Sequence, residues 1–114
     1  MRRRTFIAGA IIAALGTSTA VAAPAATYRL SATKTGLKFN TTTIRAKAGK
    51  VTLSMANPSS FPHAVGIKGK GKGKTVNKGG TSTYTATLKK GTYTFYCPVK
   101  GHEAGGMKGK LIVN

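Results

Sequence analysis

The amino-acid sequence predicts an all-β fold, a Greek-key β-sandwich, and three observations carry that expectation. Beyond residue 22 the chain is rich in Thr, Val, Ile and Tyr, residues that fit a pleated, half-buried surface. Side chains alternate in character: Val51, Leu53 and Met55 with Thr52 and Ser54, and Tyr93, Phe95 and Cys97 with Thr94 and Tyr96. A two-residue period turns one face of a strand inward. Turn signals at Ala48-Gly49-Lys50, Asn57-Pro58 and Lys90-Gly91 break these runs at short intervals, and strands so spaced build sandwiches.

The N-terminal stretch is of another kind. "MRRRTFIAGAIIAALGTSTAVAAPAA" passes from a basic cluster through an apolar run, Phe6 to Leu15, to small residues including Ala20-Val21-Ala22. This is the three-part plan of a secretory signal peptide, expected over residues 1–22 with cleavage near Ala22 or Ala23. Residues 23–114 then form one domain, long enough for a modest core. Arg3-Arg4-Thr5-Phe6-Ile7 also resembles a twin-arginine export signal. The expected destination is the periplasm or another extracytoplasmic compartment. If the segment is retained, its apolar and small residues almost reach spanning length and would hold the protein at a membrane; Thr17, Ser18 and Thr19 argue for cleavage.

Within the domain, strands are expected around 28–33, 43–47, 51–55, 64–68, 82–88, 93–97 and 109–113. "KGKGKGK", residues 68–74, is expected to be a mobile, solvated loop, since glycine leaves nothing to bury and the lysines repel one another. Charge is extreme throughout: 19 Lys and Arg face a single acid, Glu103, for a formal net charge of +18. Such a surplus implies an anionic partner or surface. Nucleic acid is disfavoured, because the protein is expected to be exported and the basic run carries no interleaved aromatics on which bases could stack.

The chemistry concentrates in "YCPVKGHEAGGM", residues 96–107, which holds the only cysteine, one of two histidines and one of three methionines. A lone cysteine in an oxidising compartment forms an intermolecular bridge, a reactive thiol, a buried bystander or a metal ligand. Here Cys97 ends an inward-facing strand, and His102 and Met107 follow at equal intervals. Gly101, Ala104, Gly105 and Gly106 allow the loop between them to fold tightly. The second histidine, His63, stands in "NPSSFPHAV" just ahead of a β-like run. Alone, His63 reads as a structural histidine, Met107 as core and Cys97 as a buried bystander. Together, two imidazoles, a thiolate and a thioether match the trigonal His2Cys site with a weak axial Met that binds copper for electron transfer. Zinc accepts His2Cys, but its fourth ligand is a strong donor or an open water position rather than a thioether. Met55 reads as core, and Glu103 as a solvated charge beside the site.

With these residues the chain resembles the cupredoxins, the plastocyanin and azurin family of small blue copper proteins. The resemblance runs through "LKFNTTTIRAKAGKVTLSMAN", "FPHAV" and, most specifically, "GTYTFYCPVKGHEAGGMKGKLIV". It implies a cupredoxin-like sandwich with one type 1 copper per chain at one end, held by His63, Cys97, His102 and Met107. It also implies a monomeric electron-transfer protein, cycling Cu(II)/Cu(I) between redox partners through the edge of His102 amid an apolar patch of Phe61, Pro62, Pro98 and Val99. A metal closed by four protein ligands leaves no substrate position, and two histidines cannot build a second copper centre, so catalysis is not expected. The alternative is a copper carrier or storage protein with the same ligands. Lys68, Lys70, Lys72 and Lys74 are expected to steer an acidic redox partner or to rest on an anionic cell envelope. Two departures stand out. The interval from Cys97 to His102 is longer than in plastocyanin. Position 64 is Ala, where plastocyanin and azurin have an asparagine that braces the ligand loop; the Ala64 backbone N–H can still serve Cys97, and Asn57 and Ser82 are the candidates for the side-chain brace.

Overall fold

The longer strands form where side chains alternate in character, as in Gly49–Ala56, Thr81–Leu88 and Gly91–Tyr96. The computed structural model describes residues 25–114; the expected signal peptide over 1–22 lies outside the described residues. Eight strands follow one another in chain order: β1 (Ala26–Ser31), β2 (Thr43–Ala46), β3 (Gly49–Ala56), β4 (Gly66–Ile67), β5 (Gly71–Lys72), β6 (Thr81–Leu88), β7 (Gly91–Tyr96) and β8 (Lys108–Val113). No helix occurs among the described residues. One sheet has the order β1-β3-β6 and the other β2-β8-β7-β4-β5. β1 runs parallel to β3 and β2 parallel to β8, while the remaining pairs are antiparallel.

The inner faces are those the alternation predicted. Val51, Leu53 and Met55 of β3 are fully buried, as is Phe95 of β7 with Cys97 beyond it. Tyr93 is only half-buried, because its hydroxyl turns out to donate to the Lys89 carbonyl at 2.8 Å. Leu30, Ile67, Leu88, Leu111 and Val113 complete a core contributed by both sheets. Phe39 joins it from the β1–β2 connection, its ring 5.4 Å from that of Phe95. Burying apolar surface in this way is the main term holding the two sheets together, at roughly 1.5–3 kcal/mol for each large side chain fully withdrawn from water.

The lysine-glycine stretch differs from the expected loop. Gly71 and Lys72 form β5, which pairs antiparallel with β4 in the register Gly66↔Lys72 and Ile67↔Gly71. The turn passes through Gly69 at φ +79°, a conformation glycine adopts without steric penalty. Beyond it, the Gly73 N–H donates to the Val65 carbonyl at 2.8 Å. The physical reason is that glycine here is the contact and not the lack of one. A Cβ on Gly71 would stand 2.5 Å from the Tyr84 hydroxyl, and one on Gly73 would collide with the Thr83 carbonyl. Lysines at 68, 70, 72 and 74 stay exposed while Gly71 and Gly73 press towards β6.

Candidate metal centre

Three elements carry potential ligands to one end of the sandwich. His63 lies in the crossing from β3 to β4, where the chain changes sheets. Its backbone is clasped on both sides by Val76, with His63 N–H donating to the Val76 carbonyl at 3.1 Å and Val76 N–H to the His63 carbonyl at 2.8 Å. Asn57 completes the clasp from a wholly buried position. Its Nδ2 donates to the Phe61 carbonyl at 2.8 Å and the Val76 carbonyl at 2.9 Å. Its Oδ1 accepts from the Ser59 N–H at 3.0 Å and the Ser59 hydroxyl at 2.9 Å. Every hydrogen-bonding position of this amide is therefore used.

Cys97 follows β7, and the segment from it to Met107 folds back on itself before β8 begins. The Cys97 N–H donates to the Met107 carbonyl at 3.0 Å, and the Met107 N–H donates to the His102 carbonyl at 3.0 Å. His102 N–H bonds the Val99 carbonyl at 2.9 Å, while Gly101 and Gly106 take φ +84° and +108°. The glycine-rich composition thus permits the tight loop that the sequence suggested. Met107 is fully buried, and its backbone is bonded to both Cys97 and His102.

The side chains converge. The two histidine Nδ1 atoms are 3.2 Å apart, Cys97 Sγ is 3.5 Å from His102 Nδ1, and Sγ is 3.9 Å from His63 Nδ1. The imidazole planes cross at 65° with centroids 5.0 Å apart. His63 and Cys97 are buried and His102 is half-exposed. The Ala64 N–H approaches Sγ at 3.5 Å, as the sequence allowed. Burial, and then the neighbouring His102, hold the His63 pKa below its usual 6.5, which keeps the imidazole in the neutral form that ligates metal.

A metal ion fits this donor set. The three donor atoms lie 3.2, 3.5 and 3.9 Å apart, close enough for one ion to reach all of them at metal–nitrogen and metal–sulfur distances of about 2.0–2.3 Å. His63 Nε2 is buried without a hydrogen-bond partner, so Nδ1 is the imidazole nitrogen this ring turns to the other donors. Soft sulfur and borderline nitrogen donors in trigonal array suit copper in both oxidation states.

Neither candidate for the ligand-loop brace, Asn57 or Ser82, takes that role, because the partners of both lie on the His63 side of the site. Asn57 secures the His63 crossing. Ser82 accepts from the Val65 N–H at 3.3 Å and donates to the Lys74 carbonyl at 2.6 Å, tying the strand after His63 to the lysine hairpin. Neither side chain is bonded to the 97–107 loop, which is held by its own backbone. Glu103, expected to be merely solvated, instead receives the Lys68 ammonium on both carboxylate oxygens, at 2.5 and 2.6 Å. Lys68 also lies 4.9 Å over the ring of Tyr96. Opposite charge explains the correction, for Glu103 is the only carboxylate side chain in a strongly cationic chain. Of the residues expected to form an apolar patch, Phe61 is 49% exposed, Pro62 is exposed, and Pro98 and Val99 are half-buried.

Residues 5–113 match the cupredoxin-like domain family. Among solved structures, auracyanin A, described as a blue copper protein of Chloroflexus aurantiacus, shares 25% identity over 80% of this chain and all of its own, with a TM-score of 0.69. Auracyanin from Roseiflexus castenholzii shares 24% identity over 77% of this chain and 96% of its own, at TM-score 0.71. The blue copper oxidase of Nitrosomonas europaea shares 22% identity and TM-score 0.67, covering 80% of this chain but 39% of that larger one. No curated protein sequence matches the chain significantly.

Proposed function

The chain belongs to the cupredoxin-like domain family, and from that footing we propose that it is an exported blue copper protein that carries single electrons between redox partners. The observation that supports this most directly is the closed triangle of His63 Nδ1, His102 Nδ1 and Cys97 Sγ at the end of the sandwich. Copper would be held by His63, Cys97, His102 and Met107. Bound there, copper supplies a one-electron Cu(II)/Cu(I) couple.

The chain's own residues supply the rest. Val76, itself bonded by Asn57, fixes the His63 backbone on both sides, and the side chain is fully buried. Ala64 N–H faces the Cys97 sulfur and stabilises negative charge on a thiolate. The strand end and the self-bonded loop hold Cys97, His102 and Met107 at fixed separations, so little reorganisation accompanies a change of charge. His102 alone among the triangle is half-exposed. Its ring edge is the proposed exit for electrons, and a small apolar patch, for which Phe61 and Pro62 are the exposed candidates, suits a docking contact that must release quickly.

With four protein donors there is no position for a substrate, and we take the protein to be a shuttle rather than an enzyme. The oxidase that shares this fold is much longer than this chain, and only 39% of it is covered. A copper carrier with the same ligands would release its ion readily, whereas the buried His63 and Cys97 favour retention. The decisive experiment is the visible spectrum with one equivalent of Cu(II), before and after ascorbate, beside Cys97→Ser. An intense thiolate-to-copper band is expected to bleach, return on reoxidation and be absent in the variant. A colourless protein that binds Cu(I) alone would overturn the shuttle in favour of the carrier.

A further inference from the structure

The outer face of the five-stranded sheet carries an open groove of about 510 Å³, lined among others by Lys68, Thr94 and Lys110, and by Glu103 and Lys108, which directly follow His102 and Met107, with Thr43 at its side. Its construction follows from strand register. Thr43 of β2, Lys110 of β8 and Thr94 of β7 are paired in one row across the sheet. Lys108 stands two residues before Lys110 and therefore points to the same face. Lys68 is drawn to the row by its backbone N–H, which donates to the Thr94 carbonyl at 2.8 Å. Lysines 68, 108 and 110, from two separate segments, thus line one concavity together with Thr43 and Thr94.

The groove already holds one oxyanion, and it is the protein's own. Glu103 turns its carboxylate to Lys68, which binds both oxygens. This is the chain's only acidic side chain, so Lys108 and Lys110 have no acidic side chain to pair with. One carboxylate against three lysines leaves the groove cationic, with donors to spare for a second, larger anion.

We propose that this groove is a binding site for a free divalent oxyanion of the phosphate class, held by Lys108 and Lys110 with the Thr43 and Thr94 hydroxyls, and that Glu103 competes with that anion for Lys68. Divalent oxyanions match several donors at once, whereas a monovalent carboxylate is satisfied by one lysine, as Glu103 is. The proposal involves neither the copper ligands nor an electron partner, and it stands or falls separately from the copper reading.

The test is a titration of the full chain with inorganic phosphate at constant ionic strength, set by sodium chloride, following backbone amide shifts. Saturable shifts confined to Thr43, Thr94, Lys110 and their neighbours are expected, with acetate failing to saturate over the same range. Lys108→Gln with Lys110→Gln is expected to abolish saturation while leaving the remaining amide shifts in place. Glu103→Gln provides the discriminating sign: removal of the internal competitor is expected to tighten phosphate about two- to fivefold, the scale of an exposed ion pair. A linear drift without saturation, an equal response at Lys72 and Lys74, saturation by acetate, or a Glu103→Gln variant that binds no more tightly would each overturn the proposal.

Discussion

The side chain on which the candidate site most depends, after the ligands themselves, is Asn57. Its amide ties Phe61, Val76 and Ser59 together, and Val76 in turn clasps His63. Asn57→Ala leaves buried donors and acceptors unmatched, which costs about 2–3 kcal/mol. A lowered denaturation midpoint of that size is expected, and copper affinity is expected to fall about tenfold, the lower end for a lost ligand support. Equal copper affinity in competition with a chelator would show that Asn57 supports the fold and not the ligand. The cluster of His63, Cys97 and His102 was legible because cysteine and histidine are so scarce here that their spacing stood out. Asn57 was legible only as one of two candidates, since nothing local distinguishes an asparagine in a turn from one whose partners lie 19 residues away. The Lys68–Glu103 pair spans 35 residues, and no periodicity could announce it. The scarcity of acid was the only available hint.

At the level of elements, period-2 alternation located β3, which buries Val51, Leu53 and Met55 completely, and β7, which buries Phe95 with Cys97 beyond it and leaves Tyr93 half-buried. It failed for β5, where the alternating partners are glycine and lysine and the pattern reads as low complexity. What the glycines supply is closeness, which becomes visible only once β6 lies beneath them. Pairing was likewise beyond reach: the parallel contacts of β1 with β3 and of β2 with β8 join segments that local sequence does not relate. The hairpin yields a direct check. In Gly73→Ala the new Cβ would meet the Thr83 carbonyl and the Ser82 hydroxyl, backbone and a buried brace that cannot easily give way. Overpacking of this kind costs about 1–3 kcal/mol. Thermal unfolding is expected to show that loss, with Lys72→Ala, an exposed position, near neutral. Equal stability of the two variants would return residues 68–74 to the status of a loop.

Across the whole molecule the dominant quantity is charge, +18 with one acid, and it bears on both redox equilibrium and encounter. Reduction adds an electron to the site, so surrounding cations favour Cu(I) and raise the potential. A unit charge 15 Å away in water contributes about 0.3 kcal/mol, on the order of 10 mV, before salt screens it beyond a Debye length of roughly 8 Å at physiological ionic strength. Lys70, Lys72 and Lys74 are exposed and free of the Lys68–Glu103 pair, which makes them the right set to neutralise. Lys70→Gln, Lys72→Gln and Lys74→Gln together are expected to lower the potential by tens of millivolts at low salt, the difference shrinking as salt is added. The same triple variant separates thermodynamics from steering. If these lysines guide an acidic redox partner, the second-order transfer rate falls with ionic strength in the parent protein and less steeply in the variant. A potential that shifts while the salt dependence stays the same would confine the lysines to tuning the metal. A potential that stays put at low salt would mean that solvent screens them completely, and the cationic surface would then act on encounter alone.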